Sequence, residues 1–206
     1  MQGLEGTHVR LEPLEMRHVD PLLAAGQGGA ELFRWTTVPQ ERAHMERYVE
    51  AAVRAREAGT AVPFATVRTS DGCVVGSSRF FDIERWAWPA SHPRTLQGGP
   101  DTCEIGYTWI SPAAIRTAVN TEAKYLMLRQ AFESWRVHGV CFHTDARNER
   151  SCNALARIGA KFEGVLRAHR LSTDLKPRDS ARYSIVAAEW PEVRAHLLAR
   201  LATRHG

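Results

Sequence analysis

The sequence predicts an α/β (α+β) fold, a mixed and mostly antiparallel sheet with helices on both faces. Three observations carry this expectation. Residues 103–160 read as strand, loop, helix, strand, helix. Two strand-like runs flank Ser70-Asp71-Gly72-Cys73, whose Asp-Gly pair is a strong hairpin signal. Two more strands and a helix close the chain.

In chain order, a short strand at 8–11 precedes Pro13 and a helix from near Glu15, with Val19, Leu22 and Leu23 on its apolar side. Gly26 to Gly29 interrupt the chain. Residues 40–58 form a long amphipathic helix on Met45, Tyr48, Val49, Ala52 and Val53, ended by Gly59. Strands follow at 62–69 and 74–81. Residues 82–100 carry three prolines, two glycines, Trp86 and Trp88, and read as a loop insertion. Residues 104–110 alternate and are rich in β-branched and aromatic side chains, as a strand requires, and Ser111-Pro112 stops them. A loop through 116–121 leads into a helix with Ala123, Leu126, Met127, Ala131, Phe132 and Trp135 on its apolar side. A strand at 140–145 feeds the next helix through 146–151. Strands at 161–166 and 182–188 are joined by a polar excursion, and 189–203 is a closing helix that tolerates Pro191 in its first turn.

At 206 residues, 44% of them hydrophobic and 24% charged, the chain fits one domain over residues 1–206 with a substantial core. No apolar run approaches the ~20 residues that span a bilayer, and the first residues do not form a basic-then-apolar secretory signal. No membrane partner is expected. Cys73, Cys103, Cys141 and Cys152 are scattered without metal-ligand spacing, which predicts reduced thiols, a cytoplasmic location and no metal. The net charge of +4 is spread along the chain. It predicts a solvated surface with an anionic small-molecule site rather than a nucleic-acid surface. His138 and His143 flank a strand start and read as structural or exposed.

A loop that begins a helix presents unpaired N–H groups and the positive end of the helix dipole. Two such strand-to-helix junctions, at 116–121 and 146–151, suit an extended phosphorylated cofactor.

Four segments sharpen this reading: Glu104-Ile105-Gly106-Tyr107, Asn120-Thr121-Glu122-Ala123-Lys124, Asp145-Ala146-Arg147-Asn148-Glu149-Arg150-Ser151, and Phe162-Glu163-Gly164-Val165-Leu166-Arg167. In this order, and from Arg10-Leu11-Glu12-Pro13-Leu14 onward, the sequence resembles the GNAT acetyltransferase superfamily, and within it the ribosomal-protein-alanine N-acetyltransferase branch. The resemblance implies a sheet of about six to seven strands, splayed at an acetyl-CoA site. It implies acetyl transfer to a primary amine, either a protein N-terminal α-amine or a small-molecule amine. The main chain of Trp109, Ile110 and Ser111 would face the acyl group. Arg116, Thr117, Ala118, Val119, Asn120 and Thr121 would surround the pyrophosphate. Asn148 would lie beside the pantetheine arm, and the Ser151 hydroxyl near the sulfur, where it can donate to a departing thiolate.

The family's pyrophosphate loop reads Gln/Arg-x-x-Gly-x-Gly/Ala. Here Ile115, Ala118 and Asn120 hold the signature positions, with Arg116 one place late. Losing glycine restricts any position that needs positive φ. The other readings of these residues are an ordinary helix start capped by Asn120, and an N-cap role for Asn148. The branch carries a glutamate base shortly after its Glu-Gly pair, where this chain has Ala168-His169-Arg170. Glu104 and His169 are the remaining candidate bases, and a carboxylate paired with an arginine is the other reading of Glu104. Trp35, with Phe33 and Arg34, and Arg170 are expected at the acceptor pocket. Trp86 and Trp88 form a lid, a homodimer contact or a satellite hydrophobic cluster. The competing function is a non-catalytic acyl-CoA-binding module on the same fold, motivated by the altered loop and the missing glutamate.

Overall fold

In the computed structural model, residues 2–29 and 31–203 are described. Eight strands form a single sheet, one or two more than the sequence predicts: β1 Leu4–Glu5, β2 Val9–Pro13, β3 Val62–Arg68, β4 Val74–Glu84, β5 Thr102–Ile110, β6 Gly139–Asp145, β7 Lys161–Leu171 and β8 Pro177–Val186. Their order is β1-β2-β3-β4-β5-β6-β8-β7. Every pair is antiparallel except β5–β6. The helices are α1 Val19–Gly26, α2 Arg42–Glu57, α3 Pro93–Gln97, α4 Val119–Arg129, α5 Glu149–Arg157 and α6 Trp190–Ala202, and α4 runs on into a π-helical segment, Gln130–Trp135.

Two apolar clusters hold the helices. One packs α1 and α2 (Leu22, Met45, Val49) on Leu14, Ala65 and Trp109. The other packs α4 and α6 (Leu126, Met127, Leu197) on Leu11, Phe80, Ile105, Phe142 and Ile185. Each fully buried leucine, methionine or phenylalanine contributes about 1.5–3 kcal/mol.

α4 is buried almost all round, and two polar residues of the Asn120–Lys124 segment pin it. The Glu122 carboxylate accepts the backbone N–H groups of Thr7 (2.9 Å), His8 (2.5 Å) and Val9 (2.7 Å), tying the helix to the start of β2. Lys124 Nζ donates to Ser78 Oγ (3.2 Å) on β4 and Thr108 Oγ1 (2.5 Å) on β5. Among the described residues no carboxylate pairs with it, and burial pushes the Lys124 amine down to about 7. These bonds fix where the first turn of α4 stands relative to β5.

The structure differs from expectation in three places. The insertion begins later, because β4 runs to Glu84, and it contains α3. Its centre is the buried Asp101 carboxylate. It accepts from Trp86 N (2.7 Å), Trp88 Nε1 (2.9 Å) and Arg94 Nε (2.9 Å), while Trp86 stacks on His138 and Trp88 on His92. The polar excursion after Leu166 is strand: β7 and β8 form a hairpin closed at 172–176. Finally, β1 is a two-residue strand that no local pattern announces.

Candidate active site

β5 and β6 pair only from Thr102↔Gly139 to Glu104↔Cys141. Beyond that β5 stays on β4 and β6 stays on β8 as far as Asp145↔Ser180, so the sheet opens into a cleft. The divergence has a local cause. Between Gly106 and Trp109 the β4–β5 register shifts, with Tyr107 left-handed at φ 50°. A bulge of this kind bends and twists its strand away from its neighbour.

Glu104, only 3% exposed, sits at the apex of the cleft. Arg170 grips its carboxylate at both oxygens (Nη2–Oε2 2.8 Å, Nη1–Oε1 3.2 Å) and also reaches Asp82 (2.9 Å). His143 Nδ1 lies 2.9 Å from Oε2. Burial alone would raise the Glu104 carboxyl, but the hydrogen bonds and charges of His143 and Arg170 outweigh it and hold the group below the usual carboxylate range. The His143 and His169 rings are 4.7 Å apart, and both His143 ring nitrogens and His169 Nδ1 are buried without an aligned hydrogen bond. Burial, together with the nearby Arg170 charge, pulls His169 below an ordinary imidazole. Asp82 (φ 46°) and Ala168 (φ 47°) sit at further register irregularities, and the Ala168 N–H donates to Asp179 Oδ1 (2.9 Å). The strands that carry Asp82, Glu104 and Arg170 thus each hold a strained left-handed residue, and such strain clusters at functional sites.

The connection between α1 and α2 forms one wall. Trp35 lies between the guanidinium groups of Arg34 (4.8 Å) and Arg147 (4.7 Å), and Arg147 is held by Asp145 (2.8 Å). Thr173 Oγ1 in the β7–β8 turn donates to the Arg34 carbonyl (2.8 Å), and Arg150 Nη2 at the start of α5 donates to the Leu32 carbonyl (2.6 Å). Phe33 meets the Trp109 ring edge-on at 5.8 Å. Glu104, His169 and Arg170 are therefore brought together, and Trp35 stands beside Arg147 at the end of β6.

On the other side of β5, the Ser111 N–H is spent on the Val75 carbonyl (2.7 Å), which leaves Trp109 and Ile110 as the strand's remaining main-chain candidates. The loop to α4 turns at Arg116, left-handed at φ 62°, so the non-glycine loop adopts the conformation that glycine would give freely. Ala118, not Asn120, is the N-cap of α4, and the Thr117 hydroxyl accepts the Val119 N–H (3.3 Å). Asn120 Oδ1 is buried without a partner. Asn148 caps α5, its Oδ1 accepting from Ser151 N (3.1 Å). The Ser151 hydroxyl makes no hydrogen bond among the described residues. An open strand edge, two helix N-termini and an orphaned amide oxygen fit a long phosphorylated thioester.

The sequence from residue 8 to residue 161 matches the GNAT acetyltransferase domain. The chain belongs to that family. Its fold is similar to a GCN5-related N-acetyltransferase from Brucella melitensis, with 29% identity and a TM-score of 0.82 over 97% of this chain and 85% of that one. A protein from T. thermophilus described as an acetyltransferase is 32% identical, TM-score 0.78, over 98% and 97% of the two chains. RimJ of Mycobacterium smegmatis, solved with CoA-disulfide, shares the fold at 21% identity and TM-score 0.75, over 95% and 90%. No curated protein matches the sequence.

His143 is the residue that sequence reasoning missed. Its place emerges only from the strand pairing: on β6, Cys141 and His143 alternate onto the face that Glu104 occupies on the neighbouring strand. No helix among the described residues is long and apolar enough to cross a membrane.

Proposed function

We propose that this GNAT protein is an acetyl-CoA-dependent N-acetyltransferase acting on an α-amine, that of a peptide N-terminus or a small molecule. The observation that carries the reading is the cleft between β5 and β6, with a buried carboxylate–imidazole–guanidinium cluster at its apex and helix N-termini at its mouth. Four free cysteines fit a reducing compartment such as the cytoplasm.

Acetyl-CoA, when bound, supplies an activated acyl carbon with a thiol leaving group. The amides at the start of α4, with Arg116 and Asn120, would hold its phosphates. The other side chains manage the acceptor's proton. Glu104, locked as a carboxylate by Arg170, is a poor base and a good orienting group: its charge, 2.9 Å from His143 Nδ1, favours the tautomer protonated there. That leaves the Nε2 lone pair to take a proton from the incoming amine, with His169 beside it. Ser151 would donate to the leaving sulfur. An α-amine, with a reference pKa near ~7.8, offers a neutral fraction at pH 7 that a lysine near ~10.4 does not, so a modest imidazole base suffices.

The test is release of free thiol from acetyl-CoA in the presence of peptide N-termini and small amines. The account expects turnover, and expects His143→Asn to lower kcat/KM by about 100-fold with acetyl-CoA affinity kept. Binding of acetyl-CoA without transfer to any amine would instead mean a non-catalytic binding module.

A further inference from the structure

Arg79 is only 7% exposed and stands in β4 opposite Gly106, on the face that carries Glu104. Its guanidinium is clasped between two aromatic rings, 4.0 Å from the centroid of Tyr107 and 5.3 Å from that of Tyr48. Its Nε is buried and unbonded, and among the described residues no carboxylate lies within ion-pair distance of it. A buried cation without a counter-ion is expensive to maintain, and proteins otherwise pair such groups. The ring faces steady the charge but leave the nitrogen fork unfilled. Of the neighbouring acids, Glu104 and Asp82 are engaged by Arg170, and Asp145 by Arg147.

A second arginine repeats the pattern. Arg178 on β8 is half-buried, its Nε is sealed and unbonded, and it has no ion pair among the described residues. It pairs across the hairpin with Arg170, which touches Glu104. The acceptor face therefore holds two arginines, Arg79 and Arg178, that form no ion pair among the described residues. Arg79 lies one strand spacing, about 4.8 Å, from the Gly106 backbone. The Glu104 carboxylate comes within 3.5 Å of where a Gly106 Cβ would stand.

We propose that the acceptor carries a carboxylate close to its reactive amine, and that Arg79 receives this carboxylate as a two-pronged ligand, with Arg178 adding long-range attraction. This deepens the acetyltransferase reading and rests on it for the role of the amine. A planar fork matches a carboxylate in both distance and direction. A Cβ at Gly106 would meet the Phe81 ring at 2.8 Å, so aromatic rings and not acids wall the fork.

The test uses a dipeptide amide whose second residue is aspartate, its asparagine isostere, free glutamate and free glutamine. Binding of each to the protein alone is followed by intrinsic fluorescence, and acyl transfer by thiol release. The account expects the aspartate peptide to bind and react about 10- to 100-fold better than the asparagine peptide, the range for a hydrogen-bonded charge. Free glutamate outperforming both peptides would assign the carboxylate to a small amino acid, and the reverse to a peptide side chain; either supports the carboxylate. Arg79→Gln should bring the ratio to about one without lowering Tm, because an unpaired buried charge is removed, and Arg79→Lys should restore only part of it. Equal binding of acid and amide forms by the wild type, or a ratio unchanged in Arg79→Gln, overturns the proposal. Charge-dependent binding without turnover would support anion recognition and refute acetyl transfer.

Discussion

Glu104 joins the chemistry to the stability of the site, and its replacement separates the two. Glu104→Gln removes the charge that holds Arg170 and His143, at a cost of about 3 kcal/mol, the lower end for breaking a buried pair. The native carboxyl titrates below its ordinary 4.5, so its contribution is complete above that pH and is lost as pH falls through the depressed native value. The Tm difference between wild type and Glu104→Gln should therefore narrow in acid, and thermal melts from pH 7 to pH 3 check it. Kinetically, an orienting carboxylate predicts a kcat loss of similar size across pH, whereas a base would lose most where the amine is protonated. Arg116 offers a second separation. Arg116→Gly relieves a left-handed residue, worth about 1 kcal/mol, and should weaken CoA more than a pantetheine fragment without phosphates. Equal loss for both ligands would assign Arg116 to the fold alone. Glu104 and His169 are legible in the sequence as single candidates, from their positions in family-like segments. Their meeting with His143 is not, because it depends on which strands are neighbours.

At the scale of elements, the sequence is most readable where one face of an element is apolar and least readable where both are polar. α2 and α6 follow their periodicity to within about two residues. β7 and β8 read short in the sequence because Arg170, Arg178 and Ser180 interrupt the alternation, and these residues lie on the site's side of the hairpin. Asn148 caps α5, and its bond from Ser151 N predicts a loss of about 1 kcal/mol in Asn148→Ala. A rise in KM for acetyl-CoA in the same variant would add the ligand role. Lys124 gives the clearest pH signature. Its native pKa of about 7 lies below the ordinary 10.5, so between these values the unfolded chain binds a proton that the folded one does not. Wild-type stability should rise with pH across that window. Lys124→Met should raise Tm most at pH 7 and below, with the gain fading toward pH 10. Ser78 and Thr108 stay paired with each other at 2.7 Å after the amine is gone.

At the scale of the molecule, the family membership and the opening of the sheet explain each other. A mixed sheet with a single parallel pair places two helix N-termini and the end of that short pair at one location. The resemblance carries the order of the strands, which composition and periodicity alone leave open. What it leaves unread is the acceptor side, because Arg79, Arg170 and Arg178 come from three different strands and acquire meaning only from which carboxylates they do or do not meet. The central claim is transfer of an acetyl group to an α-amine at this apex. The most direct measurement incubates acetyl-CoA and the protein with one peptide bearing both a free N-terminus and an internal lysine, and locates the acetyl group by fragment mass. The account predicts modification of the N-terminal amine, matched by thiol release and reduced about 100-fold in His143→Asn. Modification of the lysine alone, or full activity in that variant, would contradict it.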